Sequence, residues 1–278
     1  MLNWLQDYPL LFTGLLCVVL QLSSWLWQIK TKNTDIVDIT WSALIVLCGL
    51  VYFISANGNK FHSYLILLIP ALWYSRLAWH LIARYQVNRE DGRYKALREH
   101  WSYKGKIVLQ FKLLLFFVFQ AALAWMFSYP AYIIANLEQP PSIFDSFGMI
   151  LLIISFLGVT LSDRQLIQFK KSQKANTQSN TVCNVGFWRY SRHPNYFFEW
   201  LHWFCYPLFG LSMNNLLSID WIILLAAPFV MLLFLLKLTG IPYNEQQNLR
   251  SKGDAYRKYQ KTTNKFFLGK PKAVEDIS

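Results

Sequence analysis

The chain has 278 residues and a formal net charge of +12. Hydrophobic residues make up 54%, aromatics 17% and charged residues only 15%, with a mean hydropathy of +0.25. A soluble domain carries roughly 25% charged residues, so this surface cannot all face water, and so apolar a chain is not disordered. Cys17, Cys48, Cys183 and Cys205 show neither zinc spacing nor the pattern of a secreted disulfide framework, and are expected as unpaired thiols.

Taken in chain order, apolar runs close to the length that crosses a bilayer predict seven spans. They are Tyr8–Gln28, Ile36–Ser55, Phe61–Ala83, Ile107–Ala135, Phe144–Ser162, a short Tyr196–Leu211, and Leu217–Leu238. No basic segment or small-residue cleavage site brackets the first, so it does not read as a signal peptide. With seven crossings, 24 of the 27 lysines and arginines fall on one side. The positive-inside rule makes that side cytoplasmic. The expected fold is all-α, an integral membrane bundle of seven transmembrane helices, with the N-terminus outside and the C-terminus cytoplasmic. Residues 1–278 would form a single membrane domain, with helices 1–3 in residues 1–106 and helices 4–7 in residues 107–278.

The basic face suits anionic membrane lipid, and no soluble domain remains to bind nucleic acid. The polar stretch Lys171–Thr181 reads as a loop. No internal repeat suggests an inverted-repeat transporter.

Ionisable groups inside spans are functional candidates. Arg76, His80 and Arg84 follow one stripe of the third span, with Tyr74 alongside. Asp35 and Asp38 open the second span, and Asp163 is expected to end the fifth, with Arg164, Gln165 and Lys170 beyond. The segment Gly186-Phe-Trp-Arg-Tyr-Ser-Arg-His-Pro-Asn-Tyr-Phe-Phe-Glu199 is the most informative. Pro194 fits the first turn of a helix. The amides of that helix start, with Arg189, Arg192 and His193, predict a phosphate site. Asn195 and Glu199 share a face one turn apart. Glu199 and His202 form a Glu-x-x-His half-site, but a di-iron bundle needs a second such motif and none occurs, so no metal is expected.

Segment 186–199 resembles the signature of the steroid 5α-reductase superfamily, in particular its bacterial branch formerly labelled a domain of unknown function. Asp38-Ile-Thr-Trp41, Ser75-Arg-Leu-Ala-Trp-His80 with Arg84, Glu90-Asp-Gly-Arg-Tyr94, Asp163-Arg-Gln165 with Phe169-Lys170, Gly240-Ile-Pro with Glu245, and Tyr256 with Tyr259 follow in the same order. The superfamily also holds SAM-dependent membrane methyltransferases of the isoprenylcysteine carboxyl methyltransferase type, the alternative reading. Those carry a paired Glu-Glu before the tail, where this chain has Glu245-Gln-Gln.

The resemblance implies an NADPH-dependent oxidoreductase that reduces a carbon–carbon double bond conjugated to a ketone. Its substrate would be an apolar small molecule from the bilayer, a 3-oxo-Δ4-steroid or similar lipid enone. Arg76, Arg84, Arg93, Lys170, Arg189, Arg192 and His193 would supply cations for the dinucleotide. Asp163, Asn195 and Tyr196 would hold it by hydrogen bonds or stacking. No Gly-x-Gly-x-x-Gly is present, so a Rossmann site is excluded. Asp38, as a protonated donor, and Tyr74 would polarise the enone oxygen, and Glu199 would orient the nicotinamide carboxamide. The eukaryotic reductases' Gln-Glu pair in the second span is absent. Leu249 stands where their tail has a Tyr, and Val159 where they have an Asn before the interfacial Asp. The expected location is a bacterial inner membrane, with the cofactor site on its cytoplasmic face.

Overall fold

A computed structural model describes residues 2–103, 105–175, 181–211, 213–214, 216–238 and 240–272. The regular structure of these residues is helical, with no strand beyond an isolated bridge between Gln86 and Arg89. The chain forms two compact units that divide at Pro141 and Ser142. The fourth predicted span packs on its predecessors in the first unit.

The first unit contains α1 (Leu2–Asp7), α2 (Pro9–Thr31), α3 (Ile36–Ser55), α4 (Lys60–Arg84), α5 (Gly92–Ser102) and α6 (Lys106–Ala135). Pro9 starts α2, where its missing N–H costs nothing. Lys32 ends that helix in the left-handed conformation (φ 54°), its N–H bonded to the Gln28 carbonyl. Helix α3 packs against α2, α4 and α6. It approaches α4 closely at Gly49, where a Cβ would sit 2.9 Å from the Pro70 ring.

The buried face of α2 is polar: Thr13, Cys17, Gln21, Ser24 and Gln28. In a bilayer such groups need partners on neighbouring helices. Thr13 meets the Tyr52 hydroxyl at 3.1 Å, which in turn meets Ser128 at 3.0 Å. Cys17 and Cys48 lie with sulfurs 3.7 Å apart, Ser24 bonds Thr40, and Gln28 donates to Gln110 at 2.8 Å. This ladder fixes the rotation of α2 against α3 and α6.

The second unit contains α7 (Ile143–Ala175), a 3₁₀ turn (Gly186–Arg189), α8 (Pro194–Leu201), another 3₁₀ turn (His202–Phe204), α9 (Cys205–Gly210), α10 (Ile219–Leu233), a π turn (Phe234–Leu238), α11 (Gly240–Lys252) and α12 (Asp254–Thr262). Helix α7 packs against α8 and α9. Glycines allow that approach: a Cβ on Gly158 would lie 2.3 Å from the Phe198 ring, and one on Gly148 2.4 Å from Phe209.

Six helices among the described residues are long and apolar enough to cross a membrane. They match six of the seven predicted spans. The predicted span at Tyr196–Leu211 is instead two short helices joined by a 3₁₀ turn. Helix α7 runs on to Ala175, so Asp163 lies inside it and Lys171–Ala175 is helical, where a loop was expected. Arg, Gln, Leu and Lys beyond residue 163 are good helix formers, and charge at the membrane boundary does not end a helix. Residues 176–180 of that polar stretch lie outside the described residues.

Candidate functional site

The second unit gathers its polar side chains around the signature segment. Gly186 (φ 53°) opens this segment in the left-handed region, hard against Gln165 of α7, whose side chain accepts from the Phe187 N–H at 3.0 Å. Trp188 is buried and donates to the Ser162 carbonyl at 2.9 Å. The Tyr259 hydroxyl from α12 donates to the Trp188 carbonyl. The segment is thus clamped between α7 and the C-terminal helices before it reaches Arg192.

Arg192 is 8% exposed and makes four hydrogen bonds to protein acceptors. Its Nε and Nη2 donate to the two Glu245 oxygens at 2.7 and 3.1 Å, and its Nη1 to the carbonyls of Gln260 and Thr263 at 2.9 and 2.7 Å. Glu245 also accepts from Tyr256 at 3.1 Å and Gln260 at 2.6 Å. His193 meets the same carboxylate at 3.1 Å. Burial lowers the His193 pKa from its ordinary 6.5, outweighing the nearby Glu245. The contact is a hydrogen bond between the imidazole Nε2 and the carboxylate. Burial likewise pushes the phenols of Tyr256 and Tyr259 well above their usual range.

This arrangement engages Arg192 and His193 within the protein. A guanidinium whose donors are spent on one carboxylate and two carbonyls has little left for a phosphate. Both residues brace the signature segment against the tail. The helix start is also less open to an anion than expected. Pro194 has no N–H, and the Tyr196 N–H is taken by the Asn195 side chain at 3.0 Å. Arg189 and Lys170 are exposed.

Asp163, Asn195 and Tyr196 do come together. Asn195 Nδ2 donates to Asp163 Oδ1 at 3.2 Å across 32 positions of sequence. Tyr196 stacks on His193, with ring centroids 5.7 Å apart and planes 16° from parallel. Its hydroxyl accepts from Asn244 at 2.6 Å. The ring rests on Gly240, where an added Cβ would approach to 2.9 Å. Glu199 follows one turn after Asn195 on α8, half-buried, and its carbonyl meets the His202 ring.

The first unit holds a separate node at the start of α3. Asp38 accepts from the Tyr94 hydroxyl at 2.6 Å and from Arg93 at 3.3 Å. Both of its oxygens are thus engaged within the protein. Arg93 also bonds Asp91 at 3.1 Å, so its charge is matched within the protein. Asp35 accepts the Asp91 N–H with both oxygens at 3.0 Å. Burial, reinforced by the charges of Asp91, Glu90 and Asp38 and opposed by that hydrogen bond, raises its pKa to about 6. Arg98 closes the node, bonding Glu90 at 2.9 Å and Thr34 at 2.7 Å. Tyr74 is buried beside Trp41, with ring centroids 6.0 Å apart. Arg76 lies 5.7 Å from the centre of the Trp73 ring, and Arg84 is exposed at the end of α4.

Sequence reasoning left Glu245, Tyr94, Asn244 and Gln260 off the site. Glu245 and Tyr94 stood in recognisable short motifs, but their partners lie 53 and 56 positions away. No local periodicity could join them.

Polar-laddered apolar helices with charge gathered at their ends define a multi-pass helical membrane protein. The chain belongs to the family described as "Protein of unknown function (DUF1295)", whose profile matches residues 24–263. It is also similar to "Uncharacterized protein C594.04c" of Schizosaccharomyces pombe (strain 972), 25% identical over 231 residues, which covers 76% of this chain and 67% of that one. No solved structure matches it.

Proposed function

We propose that the protein is a membrane oxidoreductase that uses NADPH to reduce a carbon–carbon double bond conjugated to a ketone in an apolar substrate. It would cross the membrane seven times, with the N-terminus outside and the basic side in the cytoplasm. The supporting observation is the convergence of Asp163, Asn195 and Tyr196, the residues that the resemblance to steroid 5α-reductases assigns to cofactor binding. They come from α7 and α8, and Tyr196 is held in place by Asn244, Gly240 and His193. A site preorganised by such supporting contacts is what cofactor binding requires.

Bound NADPH would supply the hydride for the β-carbon of the enone, and a proton from water would complete the saturation at the α-carbon. Charge develops on the ketone oxygen, and a hydroxyl donor stabilises it in a low-dielectric site. Tyr74 remains the proposed donor in the first unit. Asp38 is reassigned to orient Tyr94. In the second unit Asp163 and Asn195 would fix the cofactor, with Glu199 at its carboxamide and the exposed Arg189 and Lys170 as its cations.

The test is thermal stabilisation of the purified full chain by NADPH, NADH and S-adenosylhomocysteine in parallel. We expect stabilisation by NADPH. Asn195→Ala should weaken its binding by roughly ten- to a hundred-fold, the worth of a charge-assisted hydrogen bond. Absence of any NADPH effect at millimolar concentration overturns the reading. Stabilisation by S-adenosylhomocysteine alone replaces it with the methyltransferase.

A further inference from the structure

The end of the second unit carries positive charge that its own acids do not match. From residue 254 to residue 272 the only acidic residue is Asp254, and it pairs with Arg257 at 3.0 Å. Lys258, Lys261, Lys265, Lys270 and Lys272 are all exposed, and none pairs with a carboxylate among the described residues. On α12, Lys258 and Lys261 lie on the face opposite the buried Tyr256 and Tyr259.

Beyond α12 the chain folds back on itself. The Lys272 N–H donates to the Thr262 carbonyl at 2.8 Å, and Asn264 Nδ2 donates to the Lys270 carbonyl at 3.5 Å. Residues 262–272 thus close a loop with Phe267 at its middle. The Phe267 side chain is 55% exposed, although its ring centroid lies 5.7 Å from Trp200 of α8. Trp200 in turn stands 4.9 Å from Phe204 and donates to the Pro228 carbonyl of α10 at 2.9 Å. Phe204 is 6.3 Å from Phe229, whose ring is 57% exposed on α10. A row of rings therefore runs from the lipid-facing side of an apolar helix to the middle of the loop.

An exposed aromatic ring beside a helix that faces lipid, flanked by unmatched lysines, has two needs. The ring gains by lying among acyl chains, and the ammoniums gain by reaching negative headgroups. Water on this face would satisfy the second and leave the first unmet. A bilayer of anionic phospholipid satisfies both.

We propose that the loop 262–272 is a lipid-binding surface that sets Phe267 among acyl chains and grips anionic phospholipid headgroups with Lys261, Lys265 and Lys270. The same loop holds the signature segment. Its Asn264 and Phe266 carbonyls accept from the Arg192 N–H and the Ser191 hydroxyl, at 2.8 and 2.7 Å, and the Tyr190 carbonyl accepts from the Gly269 N–H at 3.1 Å. Anionic lipid thereby steadies that segment. The surface depends on the membrane reading of α10 and not on the reductase reading.

The experiment uses the full chain in nanodiscs without NADPH, in phosphatidylcholine alone and in phosphatidylcholine mixed with phosphatidylglycerol. The anionic lipid should raise the Tm by several degrees, and the rise should shrink as salt is added. Lys261→Gln/Lys265→Gln/Lys270→Gln should remove most of that rise while keeping the parent's Tm in phosphatidylcholine. Lys95→Gln/Lys106→Gln, at two exposed lysines of the first unit, should keep it. No rise overturns the proposal. Equal loss in both variants overturns it in favour of diffuse attraction by the whole basic face. An equal rise with inorganic phosphate in phosphatidylcholine discs overturns it in favour of a soluble-anion site. The loop is tested separately with a nitroxide on Phe267→Cys, the four native cysteines being buried. The label should be reached more readily by dissolved oxygen than by a water-soluble nickel chelate. The reverse order places residue 267 in water and overturns the proposal, and this measurement decides alone if the triple variant fails to fold.

Discussion

Removing the charge of Glu245 should loosen the whole attachment of the signature segment to the C-terminal helices. Glu245 receives five donors, from Arg192 twice and from His193, Tyr256 and Gln260 once each. The Arg192 and Glu245 side chains are only 9% and 13% exposed, so water cannot replace either partner. Glu245→Gln keeps the shape but offers one acceptor oxygen, and turns an amide donor towards groups that are themselves donors. Breaking a buried pair from one side costs about 3–5 kcal/mol. At roughly 2–4 °C per kcal/mol, the Tm measured by fluorescence-detected size exclusion should fall by on the order of 10 °C. The double variant Arg192→Met/Glu245→Leu removes both charges. It should therefore lose about 2 kcal/mol less than the sum of its single changes. It will not recover fully, because the Gln260 and Thr263 carbonyls lose their donor. A fall under 2 °C for Glu245→Gln, or strict additivity in the double variant, would refute the bracing role.

Asp35 predicts a pH dependence in the first unit. Its pKa of about 6 lies above its ordinary 3.8, so the folded chain binds that proton more tightly than the unfolded one. The resulting stability is full below pH 4 and is lost as pH rises through 6. The Tm of Asp35→Asn relative to the parent should therefore climb between pH 4 and 7; a flat difference refutes it. His193 runs the other way: its lowered pKa gives stability that is full above pH 6.5 and is lost as pH falls below it. Gly158→Ala should cost about 1–3 kcal/mol by overpacking, since its new Cβ meets the buried Phe198 ring at 2.3 Å. A neutral result would mean that α7 and α8 are further apart. Tyr94→Phe should cost about 1–3 kcal/mol by leaving one oxygen of Asp38 without its phenol, again read as Tm.

What was legible in the sequence follows from the range of the interactions involved. Five long helices and the start of the last could be read off because apolar run length is a local property, and Pro9 and Pro194 mark helix starts for local reasons. The break in the stretch at 196–211 was not legible because composition reports affinity for lipid but not continuity of the helix. Helix α7 overran its predicted end because its polar extension still favours helix and is tied through Gln165 to Gly186. The convergence of Asp163, Asn195 and Tyr196 was anticipated only through the resemblance. The Asp38–Tyr94 and Arg192–Glu245 pairs were missed because they join segments more than 50 residues apart.

Arginines in a signature are easily read as ligand cations, but the structure separates them by how many donors each has left. Arg192 spends four on protein acceptors, whereas Arg189, three positions earlier on the 3₁₀ turn, is exposed. The turn itself causes the split: it directs Trp188 inward to Ser162 and leaves Arg189 outward. If the segment binds an anionic cofactor, the two arginines must respond differently to removal. Arg189→Ala should leave the Tm of the unliganded protein within 1 °C, since surface changes away from such features are nearly neutral, and weaken NADPH binding by roughly two- to five-fold, the worth of an exposed ion pair. That loss should shrink as salt is raised. Arg192→Ala should lower the unliganded Tm on the order of 10 °C, as for Glu245, and its effect on binding should follow from that loss of order. If Arg192→Ala instead weakens NADPH binding at unchanged Tm, Arg192 is a ligand of the cofactor and its closed network with Glu245 must open on binding.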